Sequence, residues 1–182
     1  MNDIKEILFN KTSKDINQDR QLLFEQYKLF LELTDKTSER RNTTNNFYLT
    51  INGALIAAII SLLTNISPNA NKSIWISIAV ASGIAFCWAW RRMIFYYKNL
   101  NSGKFHIIQL VEERLPVNLY NSEWKYLKEI KKHKSFSDTE MIVPVIFFTL
   151  YFSILLFNYE LSAFVSISLP LIIGILIHLR CS

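Results

Sequence analysis

The chain has 182 residues, 51% of them hydrophobic and 19% charged, with a formal net charge of +5. A soluble domain carries about 25% charged residues, and here the apolar excess is gathered into four blocks, which points to one membrane domain with aqueous parts attached. Cys87 lies inside an apolar block and Cys181 is next to last, a pattern that excludes a disulfide framework. The mixed-charge start lacks the short apolar run and cleavage site of a secretory signal peptide.

Residues 1–46 read as a helical region on the cytoplasmic side. Leu22, Leu23, Tyr27, Phe30 and Leu31 recur with near-helical spacing between charges. No Gly or Pro occurs from Asn10 to Asn52, so a helix beginning near Asn17 is able to run unbroken into the first apolar block. That block covers 47–66, and with a second span at 74–97 it forms a transmembrane hairpin over 47–97. Trp88, Trp90, Phe95, Tyr96 and Tyr97 crowd the far end of the second span, as in an interfacial aromatic belt.

Residues 98–139 form a second cytoplasmic helical region. Its first part offers Phe105, Ile107, Ile108, Leu110 and Val111 as partners for Tyr27 and Phe30, and Pro116 ends or kinks that helix. A short amphipathic helix follows, with Trp124, Leu127 and Ile130 on one face. Tyr27, Phe30, Phe105, Glu112 and Trp124 are the candidate contacts of a small cytoplasmic bundle or of a partner bound to it. Residues 140–180 form a second hairpin, with spans at 141–157 and 161–179; Pro144 and Pro170 are candidate kinks. Each block approaches the ~20 residues that cross a bilayer core. The expected fold is all-α: a polytopic membrane protein with four transmembrane helices and a cytoplasmic helical bundle.

Lysine and arginine set the orientation. Residues 1–46 carry eight, the link from the second to the third span carries ten, and Arg180 follows the fourth span; Lys72 alone lies on the other side. By the positive-inside rule both termini are cytoplasmic. The KEIKKHK run is read as part of this signal and as a solvated face, so nucleic acid is not an expected partner.

Polar residues mark the first span. Ser38, Asn45 and Asn52 are seven apart and share a helix face, with Arg41 close to it. An unsatisfied amide in hydrocarbon is costly. The stripe therefore faces a neighbouring helix or a wet central passage lined by several subunits. Small residues at four-residue spacing in the second span, Ala81, Ala85 and Ala89 on one face and Gly83 on another, permit close helix approach and suit oligomer packing.

The catalytic inventory is thin. His106, His133 and His178 have no metal-ligand spacing with another His or Cys. The four glycines form no phosphate-cradling loop. Arg91, Arg92 and Arg114 lack the His that would complete an R-x4-H pair. Glu112, Glu113 and Glu123 are better explained by ion pairs to Arg114, Lys104 or the N-terminal helix than by catalysis. The expectation is a protein that is not an enzyme, with no cofactor and no metal site.

Three phrases together carry a resemblance: QYKLFLELTDKTSERRNTTNNFYLTING, WRRMIFYYKNLNSGKFHIIQLVEERLP and SEWKYLK. The patterns ERR-x4-NF, YKNLN-x2-KF and ERLP followed by EW, over about residues 26–130, resemble the RipA family of octameric bacterial inner-membrane proteins. A member of that family supports intracellular growth of Francisella. The chain also resembles the pore-forming accessory membrane protein of type VI-B CRISPR systems. The resemblance implies a bacterial inner-membrane homo-oligomer of about eight subunits with cytoplasmic helices, and no established chemistry. It leaves three readings open: a pore or platform in host adaptation or stress, an anti-phage effector that permeabilises the membrane, and a membrane scaffold for a cytoplasmic protein.

Overall fold

The computed structural model describes residues 4–5, 8, 16–65, 70–130, 139–159 and 168–174. Among these the regular elements are helical. Helix α1 spans Ile16–Asn65, α2 Ala70–Glu112, α3 Leu119–Ile130 and α4 Ile142–Asn158. Residues 168–174 are helical as well; the rest of the expected fourth span lies outside the described residues.

The two long helices follow from what the sequence omits. Neither Gly nor Pro interrupts α1 before Gly53, and the expected edge at 46/47 falls inside it without a break. The edge at 97/98 likewise falls inside α2. Gly103 costs that helix about 1 kcal/mol relative to Ala, too little to end a 43-residue helix. Helix α2 stops at Glu112, where Arg114 N–H donates to Val111 O at 3.0 Å and Leu115 N–H to Glu112 O at 3.0 Å. Pro116 lies in the connection that follows. In α4, Pro144 is the third residue. The N–H that proline lacks would have had no intrahelical acceptor there, so Pro144 requires no kink.

The chain divides into two compact units, Met1–Arg40 with Lys98–His133, and Arg41–Tyr97 with Lys134–Ser182. In the first unit α1 turns Tyr27, Thr34 and Thr37 inward, and α2 supplies buried Ile108 and Leu110. In the second, Ile59 of α1, Ile76, Val80 and Cys87 of α2 and Tyr151 of α4 form one buried cluster, and Trp90, Ile94 and Met141 form another. Among the described residues two helices are long and apolar enough to cross a membrane, and α4 is a shorter apolar helix. Exposed Ile60, Ile78 and Phe86 suit a lipid-facing surface. In such a setting tight packing and interhelical hydrogen bonds, not water exclusion, hold helices together.

Candidate functional site: a buried polar ladder and a carboxylate cap

The ladder lies in the second unit, where α1, α2 and α4 meet. Its first rung is Asn45. The Trp90 indole N–H donates to Asn45 Oδ1 at 2.9 Å, and Asn45 Nδ2 donates to Glu140 Oε1 at 3.1 Å. Arg41 Nε stands 3.7 Å from the same carboxylate oxygen. Glu140 precedes α4, so its charge also lies at the positive end of that helix. Burial pushes its carboxyl pKa up, against the pull of Arg41 and the Asn45 amide. Its second oxygen, Oε2, is buried and has no hydrogen-bond partner among the described residues. Tyr48 stacks on Trp90 with ring centroids 5.9 Å apart and planes 9° from parallel, which fixes the indole that reaches Asn45.

Asn52 is the second rung, two turns further on and fully buried. Its Nδ2 donates to Tyr48 O at 2.8 Å, and its Oδ1 accepts the Cys87 thiol proton at 3.5 Å. The Tyr151 hydroxyl donates to the Asn52 carbonyl at 3.1 Å. That tyrosine ring lies directly over Gly83: a Cβ added there would fall 2.3 Å from the ring's Cζ. Only glycine allows α2 and α4 to approach this closely.

These contacts bear on two expectations. Of the two readings left open for Asn52, its 0% exposure within one chain and its bond to Cys87 fit the contact between helices, not a passage between subunits. Gly83 is consumed by packing inside the subunit, while Ala81 and Ala85 remain exposed and Ala89 half-buried. The four-residue stripe also divides. Ser38 belongs to the first unit, and its hydroxyl turns back to Thr34 O at 3.5 Å, whereas Arg41, Asn45 and Asn52 belong to the second.

The first unit has its own buried carboxylate. Glu112, 1% exposed, accepts the Tyr27 hydroxyl proton at 2.8 Å and the backbone N–H groups of Tyr120 and Asn121 at 2.9 and 3.1 Å. It thereby caps α3 from a distance, meeting the orphan donors and positive end of that helix. Burial, and then the hydrogen bond to Glu112, push the Tyr27 pKa up to about 12. Of the partners expected for Glu112, namely Arg114, Lys104 or the N-terminal helix, it meets the last through Tyr27; the cap itself has as its signal in sequence only a Glu seven residues before a helix start. Lys104 instead donates to Leu33 O at 2.9 Å and to the Thr37 hydroxyl. Glu113 pairs with Lys5 at 2.6 Å. Phe105 packs on Tyr120, with ring centroids 5.2 Å apart, and Phe30 is half-buried. Trp124, expected on the packed face, is 42% exposed, while Leu127, about one turn further on, is half-buried.

Long apolar helices, polar groups satisfied between them and a glycine spent on close approach define a helical membrane protein. A family model matches residues 24–161, and the chain belongs to that family, the Octameric membrane protein family (8xMP). No curated protein and no solved structure matches the chain.

Proposed function

We propose that the chain is one subunit of a homo-octamer in the bacterial inner membrane, with four spans, cytoplasmic termini and no enzymatic role. The observation that carries this reading is Gly53. A glycine in the middle of a helix costs about 0.5–1 kcal/mol. At Gly83 the cost is repaid by Tyr151, but at Gly53 nothing among the described residues lies within 4 Å of where a Cβ would stand. Gly53 is exposed on α1 together with Asn46, Thr50, Ala57 and Ser61, at helical spacing. Thr50 satisfies its own hydroxyl by donating to Asn46 O at 2.8 Å. A face of small and polar residues in a membrane-crossing helix suits another helix or water better than lipid. The family name, which specifies eight subunits, supplies the second helix.

The assembly serves as a membrane platform in host adaptation, intracellular growth or stress, holding eight copies of the first unit together. Exposed Leu22, Leu29, Val117, Leu119 and Tyr126 in that unit favour contacts with neighbours or with a cytoplasmic protein. The alternative, a permeabilising ring in anti-phage defence, uses the same α1 face as its lining.

Native mass spectrometry and particle averages of the detergent-purified complex test the reading. A closed ring of eight is expected, and a monomer or dimer overturns it. Gly53→Ile is expected to break the ring while leaving helicity intact; an intact ring moves the interface off this face. Conductance across planar bilayers separates the two roles: a platform gives none, and a pore gives steps that vary with substitution at Asn46.

A further inference from the structure

A groove of about 570 Å³ runs between α2 and α4 in the second unit. Ala81 and Ala85 line it along α2, Pro144 and Phe148 line it along α4, and Trp88 and Arg91 stand at one end. From Ala81 to Arg91 is ten residues, or about 15 Å at 1.5 Å per residue. That is half of the roughly 30 Å hydrocarbon core, the depth of one leaflet. Among the described residues no carboxylate pairs with Arg91, while its neighbour Arg92 lies over the Trp88 ring, 5.6 Å from the centroid. The groove is thus apolar along one leaflet's depth and ends in a guanidinium beside an interfacial tryptophan.

We infer that this groove is a binding site for an anionic phospholipid, one acyl chain lying over Ala81 and Ala85 and the headgroup phosphate held by Arg91. A guanidinium binds phosphate through paired N–H donors, and basic pockets between membrane helices select anionic headgroups. A neighbouring subunit's helix fits less well, since an apolar helix laid here would cover Arg91 without an anion to meet it. The site requires only that the second unit lies in the bilayer and does not depend on the number of subunits.

The test uses the full chain reconstituted in nanodiscs of equal phosphatidylglycerol and phosphatidylethanolamine, released into mild detergent and weighed by native mass spectrometry. The wild type is expected to retain phosphatidylglycerol in preference, near one per subunit. Arg91→Gln is expected to lower that retention about tenfold, the scale of one lost charge-assisted contact. Ala85→Phe fills the groove from an exposed position, and it should lower retention without changing the subunit number. Equal retention of both lipids, or no effect of either substitution, overturns the site. A wild type free of lipid, with Ala85→Phe dissociating the assembly, assigns the groove to a neighbouring subunit and overturns it too.

Discussion

Replacing Gly83 with alanine tests the core of the second unit most directly. The new Cβ would lie 2.3–2.6 Å from three atoms of the Tyr151 ring, where carbon atoms prefer about 3.5–4.0 Å. The ring cannot swing away cheaply, because Tyr151 is fully buried and its hydroxyl is tied to the Asn52 carbonyl at 3.1 Å. Overpacking of this kind costs about 1–3 kcal/mol, and the better helix propensity of alanine returns about 1 kcal/mol. The expected net loss is therefore between about 0 and 2 kcal/mol. For a chain of this length that lowers Tm by up to roughly 8 °C. Gly53→Ala is the matched control, since its Cβ meets nothing among the described residues; it should hold or raise protomer stability by about 0.5–1 kcal/mol. Thermal unfolding followed by circular dichroism, in a detergent that keeps both variants in the same assembly state, compares them. Combining Gly83→Ala with Tyr151→Leu should recover part of the loss, a non-additivity expected only for residues in contact. A Gly83→Ala protein as stable as Gly53→Ala would refute the close approach of α2 and α4.

Glu112→Ala strands two backbone N–H groups of α3 and the Tyr27 hydroxyl, at an expected cost of about 2–3 kcal/mol in that unit. Hydrogen exchange should quicken at residues 119–122 and stay unchanged in α4; uniform protection would show that the cap does not hold α3. Tyr27 gives a pH signature. Its folded pKa of about 12 exceeds the ordinary value near 10, so the folded state keeps a proton that the unfolded state releases. The stability it contributes is complete below about pH 10 and is lost as pH rises toward 12. Tyr27→Phe should flatten the alkaline fall in protection across that window, and an unchanged profile would separate Tyr27 from Glu112.

Much of the architecture was legible in the residues. The apolar blocks and the absence of Gly and Pro before Gly53 announced a long first helix, since helix length is a local matter of propensity and breakers. The end of α2 near Pro116 was legible for the same reason. The polar stripe was legible as something that must be satisfied, because an amide in hydrocarbon has no cheap alternative. Its partners were not. That Asn45 meets Trp90 and Glu140, and that Asn52 meets Cys87, depends on how three helices are rotated about their axes, and periodicity leaves that rotation open. The carboxylate cap was hidden for a related reason: Glu112 reaches α3 across a turn, and nothing in its neighbours separates a capping carboxylate from an ion-paired one.

The two glycines show where the division falls. The sequence by itself determined that this is a helical membrane protein, because hydrophobic run length and the lack of helix breakers are summed residue by residue along the chain. In the sequence Gly53 and Gly83 differ in no local way, each being a glycine in an apolar helix. Only the tertiary structure told them apart, placing a tyrosine ring on one and no described residue within 4 Å of the other. A hydrogen atom in place of a side chain has no effect until another surface arrives, and which surface arrives is settled by the packing of distant segments.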